Sequence, residues 1–423
     1  MRWPVFPLDK IADVFGGSTP RRNRSEYWDG DIPWVTPTDL PMPGTEIADV
    51  YDTADHITPE GLRSCAANLL PVGTVLYSSR ATIGKIGIAR VPLATNQGFA
   101  NFAPKPGVES KYLAYALQYF TVEISSLAGS TTFKEVRRGA LKKYKVPLPS
   151  PSEQHRIVEI LDQADALRKK RAVADAKAAR ILPALFYKMF GDPATNPRNW
   201  NIKSLGQVIR GKPQYGANAS AVEWLEGMPR YVRITDITQD GRLLKSGVVT
   251  LDLEDWEPYR LVPGDLLFAR SGNTVGKTYL YRQEDGLCAY AGYLIRFQAD
   301  PEQVTPWYLF SLTQTGYYKS WVEARKRVAG QPNINGKEYS SLQIPCPPLS
   351  RQQQFTTMVE SLITSQNRRD ASTERVDRLF NIILHRAFTG DLTAKWRESH
   401  MKELLQEMEQ QAKALRAEGA KGI

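Results

Sequence analysis

Gly276, Lys277 and Thr278 end the stretch "RSGNTVGKT" (270–278), which carries most of a phosphate-binding loop. Such a loop cradles phosphates on backbone amides, neutralises them with its lysine and holds magnesium through its hydroxyl. Two requirements fail here. Ser271 stands where the first glycine belongs, and "TYLYR" follows where a helix should open. The helix is essential because its N-terminal amides face the phosphates. "TYLYR" alternates β-branched and aromatic residues and reads as a strand.

An earlier stretch decides the matter. "VGTVLYSSRATIGKIGIAR" (72–90) aligns with "PGDLLFARSGNTVGKTYLYR" (263–282). Arg80, Gly84 and Lys85 correspond to Arg270, Gly276 and Lys277, and Lys85 is followed by Ile86, which has no hydroxyl. Both copies therefore read as strand, glycine-bearing turn, strand. Other chemistry is equally unsupported. There is no Asn/Asp-Pro-Pro-Tyr/Phe motif, no pair of Walker motifs and no nuclease carboxylate cluster. Cys65, Cys288, Cys346 and the four histidines are scattered, without zinc or disulfide spacing. We expect no catalytic residue, no bound cofactor and no metal site, and a reducing cytoplasmic setting.

The elements that carry these turns are themselves duplicated. Val35, Thr38 and Asp39 match Val232, Thr235 and Asp236 at a separation of 197 residues. "YKVPLPSPSEQ" (144–154) matches "LQIPCPPLSRQ" (342–352) at 198. Several matches in one order at nearly one offset mean a tandem repeat. After each Pro-x-Pro stretch comes a run with alternating spacings of four and three, the coiled-coil pattern. The first seam includes Ile157, Leu161, Ala164, Asp175, Leu182 and Leu185; the second includes Phe355, Val359, Leu362, Arg369, Phe380 and Ile383. Each helix should run about 38 residues, or about 57 Å. Ser152 reads as the first N-cap, and Pro183 should kink the first helix.

The expected fold is α+β: two globules of short strands and helices, joined by two long helices in an antiparallel coiled coil with pseudo-two-fold symmetry. The boundaries are 1–150 and 193–349 for the globules, 151–192 and 350–392 for the helices, and 393–423 for a helical tail. Antiparallel pairing sets Arg171 against Thr373 and Asp175 against Arg369. The polar middle of the seams is either a register-fixing contact or simply solvated. The tail carries Trp396, Met401, Leu404, Leu405, Met408, Ala412 and Leu415 at amphipathic spacing. It docks either on this chain or on a partner.

"VPLPSPSEQHRIVEILDQADALRKKR" with "LFYKMFGD", and "IPCPPLSRQQQFTTMVESL" with "LHRAFTGDLTAKWRE", resemble the central and distal conserved regions of type I restriction-modification specificity subunits. The resemblance covers about residues 1 to 398. Arg351, where the first copy has Glu153, and Pro183 depart from the pattern. It implies two target-recognition domains, each reading half of a bipartite duplex DNA site, with the coiled coil setting the spacing. It also implies two methyltransferase subunits bound to the rod and motor-nuclease subunits recruited to the complex. S-adenosylmethionine, ATP and magnesium would belong to those partners.

Charge agrees with a polyanionic partner, the formal net charge being +10. No apolar run is long enough for a membrane span. Lysine and arginine suit phosphates, while arginine, asparagine and glutamine can read base edges. Basic residues cluster at matching places: Lys134, Arg137 and Arg138 in the first copy, Arg325, Arg327 and Lys337 in the second, the latter beside Asn333 and Asn335. The glycine-bearing turns add Arg80 and Lys85, then Arg270, Ser271, Asn273 and Lys277. The second turn is two residues longer, as a variable reading loop would be. The competing classes are a coiled-coil scaffold that binds only proteins and a phosphate-loop enzyme.

Overall fold

The computed structural model of the chain describes residues 3–129, 134–326 and 332–420. It divides into two compact units, Met1–Ala172 with Ser372–Ile423, and Val173–Ala371. Each unit holds one globule, half of one long helix and half of the other.

In the first unit a five-stranded sheet runs Ala12–Gly16, Phe99–Pro104, Val75–Ser78, Ile86–Ala89, Ala48–Val50. All its neighbours are antiparallel except the last pair. The second unit repeats the first four strands as Gln214–Tyr215, Leu294–Gln298, Asp265–Ala269 and Thr278–Leu280. Two further pairings recur. Trp28–Val35 runs parallel to Ala94–Thr95, as Arg230–Val232 does to Cys288–Tyr290. Val5–Pro7 pairs with Lys145–Pro147, as Asn201–Ser204 does with Gln343–Cys346. A helix covers the sheet in each unit: Ser110–Ser126 in the first, and Pro306–Thr313 followed by Gly316–Lys326 in the second.

The duplicated Pro-x-Pro segments join globule to helix by one device. Gln154 is fully buried. Its amide oxygen accepts from the Glu109 N–H at 2.9 Å, and its nitrogen donates to Gly107 O at 3.0 Å and Pro149 O at 2.9 Å. Gln352, also fully buried, accepts from the Thr305 N–H at 2.9 Å and donates to Gln303 O at 3.1 Å and Pro347 O at 2.8 Å. Tyr112 and Tyr308 donate their hydroxyls to the carbonyls of Pro147 and Pro345. Each glutamine side chain is itself buried and must have its hydrogen bonds met, and the junction of sheet, Pro-x-Pro segment and helix supplies them.

The second long helix is continuous over Leu349–Thr389. The first is not. It runs Pro151–Ala178, breaks at Ala179 and Arg180, and resumes over Ile181–Phe190. Pro183 thus sits in a first turn, where its missing N–H has no helical partner to lose. The expected 38-residue helix is two helices. The expected Ser152 cap is also displaced. Ser150 precedes the helix and Pro151 takes its first position, while Ser152 lies within the first turn.

In the first unit the helix halves run antiparallel: Arg168 Nε donates to Asp377 at 3.0 Å and Arg171 Nε to Thr373 at 2.9 Å. Ile157, Leu161 and Phe380 are buried, with Ala164 and Ile383 packed beside them. Leu384 and Phe388 are buried too, so the apolar face is wider than a two-position seam. In the second unit Phe355 and Val359 are buried, whereas Leu182 and Leu185 are half-buried. Phe186 and Phe190 take the interior positions there, packing on Phe355 and Tyr308.

The tail, Ala394–Ser399 and Met401–Ala420, docks on the first unit. Arg397 Nε meets the buried Glu153 carboxylate at 2.7 Å, Thr393 donates to it at 2.6 Å and Trp3 Nε1 at 2.9 Å. Glu407 accepts from Ser152, and Gln411 donates to Gly107 O at 2.7 Å. Arg351, at the matching place in the second copy, is exposed. Removing one member of a buried ion pair strands the other. Arg397→Ala should therefore lower unfolding stability by about 3–5 kcal/mol, and Arg351→Ala by no more than about 0.5 kcal/mol. Chemical denaturation of the two variants checks this; equal small effects would refute it.

Candidate nucleic-acid interface

The glycine-bearing turns lie between antiparallel strands in both units, with Leu76 opposite Gly87 and Leu267 opposite Tyr279. No helix follows either Gly-Lys. Gly84 and Gly276 have φ of +94° and +87°, and a Cβ on either would lie 2.3 Å from Thr121 or 2.6 Å from Val322. Glycine is required twice over: for the left-handed backbone, and for the close approach of the helix covering the sheet.

The lysine beside each glycine faces inward. Lys85 Nζ donates to the carbonyls of Pro37 and Leu40, the latter at 2.9 Å. Lys277 Nζ donates to Ile237 O at 2.7 Å. Leu40 and Ile237 each follow the duplicated Thr-Asp pair, and the aspartate fastens its own turn. Asp39 accepts from the Thr36 N–H at 2.7 Å, and Asp236 from the Arg233 N–H at 2.9 Å. The Thr-Asp turn and the Gly-Lys turn, far apart in sequence, form one structural clamp. Lys85 and Lys277 are therefore removed from the candidate DNA-contacting residues, because backbone carbonyls occupy their ammonium groups.

The remaining candidates come together in each unit. A β-bridge links Arg80 to Glu135, and another links Ser271 to Asn333. Ala81 N donates to Lys134 O at 3.1 Å, and Val136 N to Ser79 O at 2.9 Å. In the second unit Gly272 N donates to Pro332 O at 3.0 Å, and Ile334 N to Arg270 O at 2.9 Å. The turn and the basic segment, read from sequence as separate clusters, thus form one composite surface in each globule.

Their chemistry differs. In the first unit Arg80, Lys134, Arg137 and Arg138 are exposed. Arg80 lies 3.9 Å from Glu135, and the Arg138 guanidinium occupies the space a Cβ at Gly16 would need. In the second unit Arg270, Ser271, Asn273 and Asn333 line one concavity of about 440 Å³, with Tyr293 at its edge. Two candidates look elsewhere. Asn335 caps the helix Gly336–Ser340 by accepting from Glu338 N at 3.0 Å, so its oxygen is occupied. Arg325 folds back over Trp321, its guanidinium carbon 3.6 Å from the ring centroid, and is part of the packing there. Lys337 is exposed, and Arg327 lies outside the described residues.

Sequence reading passed over "PRRNR" (20–24), where Arg21, Arg22 and Arg24 are exposed. Arg22 lies over Trp28 at 4.1 Å and pairs with Asp55 at 2.8 Å. Three arginines in five residues were a sufficient signal. Among the described residues no group of three His, Cys, Asp or Glu side chains could hold a metal. Burial pushes the Cys288 thiol up to about 12, which keeps it protonated. No described helix is long and apolar enough to cross a membrane.

The family model described as the type I restriction modification DNA specificity domain matches residues 2–173 and 197–372. The chain belongs to that family. Its two matches fall on the two globules with their adjoining helical segments. The chain is 33% identical over 293 residues to the type I restriction enzyme MjaIX specificity subunit of Methanocaldococcus jannaschii, covering 64% of this chain and 67% of that one. It is 23% identical over 430 residues to the StySPI specificity subunit of Salmonella potsdam, covering 93% and 90%. Two solved structures share the fold. One is from a study of complex assembly and conformational transition of the type I R-M system (TM-score 0.55, 16% identity, 92% and 98% covered). The other is the S subunit from M. genitalium (TM-score 0.50, 14% identity, 91% and 96% covered).

The internal lysines give a direct test. Lys277→Ala deprives the Ile237 carbonyl of a charged donor and should cost about 1.5–3 kcal/mol of stability. Lys337→Ala, at an exposed site, should change stability by less than about 0.5 kcal/mol. Denaturant titration reads both, and an unchanged Lys277→Ala variant would return that lysine to the candidate surface.

Proposed function

We propose that this chain is the DNA-recognition subunit of a type I restriction-modification complex and performs no catalysis itself. Each globule reads one half of a split duplex site through its composite surface of turn and basic segment. The long helices join the two readers and dock two methyltransferase subunits. Through that assembly the motor-nuclease subunits are recruited, and S-adenosylmethionine, ATP and magnesium serve those partners. The complex works in the cytoplasm, where its DNA substrate is.

One observation carries this reading. The same skeleton occurs twice, and at the same place in each copy it offers a surface of different composition. A protein-only scaffold gives no reason for two such surfaces with arginine and lysine at one and arginine and asparagine at the other. Readers of two different half-sites require that difference, because base edges are told apart by donor and acceptor pattern. The first unit's rim, with Arg80, Lys134, Arg137 and Arg138, suits phosphates.

Co-expression with its methyltransferase partner, followed by genome-wide mapping of methylated adenines, tests the proposal. The expected motif has two constant blocks separated by a fixed run of unspecified bases. A contiguous motif, or none, would overturn it. Duplex binding should also weaken with salt, log K falling by about 0.9 per phosphate contact for each unit of log salt. Lys134→Ala should reduce that slope by about 1 without altering the motif.

A further inference from the structure

The concavity of the second unit has a feature its counterpart lacks. Arg270 is held at several points. Its N–H donates to Tyr293 O at 3.0 Å and its carbonyl accepts from Ile334 N at 2.9 Å. Its guanidinium carbon lies 5.0 Å from the centroid of the Tyr215 ring, and Tyr215 is itself tied down by the Gly336 N–H at 3.1 Å. Apart from that ring, no hydrogen-bond partner of the guanidinium is seen among the described residues. Its Nε is buried without a hydrogen bond, and no carboxylate pairs with it among the described residues. Backbone pairing corrects the sequence correspondence: Arg80, bridged to Glu135, matches Ser271, bridged to Asn333, and the place of Arg270 is held in the first unit by Ser79, whose carbonyl accepts from Val136 N as that of Arg270 does from Ile334 N.

A charged fork that is pre-positioned, stacked and unpaired is suited to a planar pair of acceptors. A phosphate also offers oxygens to such a fork, but among the described residues the concavity holds no second cation and is lined instead by Asn273 and Asn333, side chains suited to base edges. In duplex DNA the planar pair presented to a protein in the major groove is N7 and O6 of guanine. Around the fork stand Asn273 and Asn333, both exposed, and Tyr293, 60% exposed. Among the described residues nothing lies within 4 Å of where a Cβ on Gly272 would be.

We infer that Arg270 reads a guanine in the half-site of the second globule, with Tyr215 as the residue that positions its guanidinium. This rests on the function proposed above and adds the identity of one base and the group that selects it.

The test uses the full chain co-expressed with its methyltransferase partner, as wild type, Arg270→Ala, Arg270→Lys and Tyr215→Leu, with the methylated motif mapped for each. The wild type should show a G·C pair at a position in one half-site that both Arg270 variants no longer specify. Discrimination at that pair should fall about 5- to 150-fold while all other positions hold. Arg270→Lys is the decisive variant, because it keeps the charge and loses the fork. It also keeps the test readable if Arg270→Ala folds poorly. Tyr215→Leu should relax the same position and no other, by a smaller factor. An unchanged motif in Arg270→Lys, or an even loss of methylation across all sequences, would identify a phosphate contact and overturn the inference. A relaxed position other than G·C would overturn it as well. A wild type without a split motif would instead overturn the function on which it rests.

Discussion

Each long helix is oriented on its globule by one buried glutamine. Gln154 and Gln352 each take three backbone groups from the junction of sheet, Pro-x-Pro segment and helix, and leave none of the three unpaired. Losing such a partner costs about 1–3 kcal/mol for each group left buried and unsatisfied. The bonds are directional, whereas the apolar packing around them would tolerate some rotation. The direction in which each helix leaves its sheet therefore depends on this amide. The antiparallel contacts of Arg168 and Arg171 in the first unit are made only because the helix departs correctly.

Around that fixed joint the two copies keep a skeleton and vary a surface. The Gly-Lys turn and the Thr-Asp turn are kept, and they are bonded to each other, so a change in either one disturbs both. The rim beyond them differs: between the equivalent closing bonds, Gly84 N to Ser78 O and Gly276 N to Ala269 O, its loop is one residue longer in the second copy and not the two that the sequence correspondence suggested, and Asn333 bridges Ser271 where Glu135 bridges Arg80. Glu153 and Arg351 show the same economy at the other end. A glutamate is buried where the tail supplies Arg397 and Thr393, and an exposed arginine stands where no tail arrives. The departure from the repeat marks the place where a third element docks.

Much of this was legible in the sequence. The repeat offset, the 4/3 spacing, the Pro-x-Pro boundaries and the strand character after Gly-Lys are local patterns, and local backbone preferences decide them. The facing pair Arg171 and Thr373 followed from the same spacing. Other features were not legible. Nothing near Lys277 in sequence indicates that its ammonium reaches the carbonyl of Ile237. The break at Ala179 and Arg180 lies upstream of the proline that signalled it. Burial of Phe186 and Phe190 in preference to Leu182 and Leu185 reflects a packing surface that the seam pattern does not contain.

The sequence by itself determined the class of fold, the duplication and the absence of a phosphate-binding helix, because these depend on which residue types recur and at what spacing. The tertiary structure alone decided which charged groups remain available to a partner. A lysine or arginine has the same formal charge wherever it stands, and only the neighbours brought to it by the fold determine whether that charge is already satisfied. Lys85 and Lys277 found carbonyls, Arg397 found a carboxylate, and Arg270 was left with a ring to rest on and its Nε unpaired.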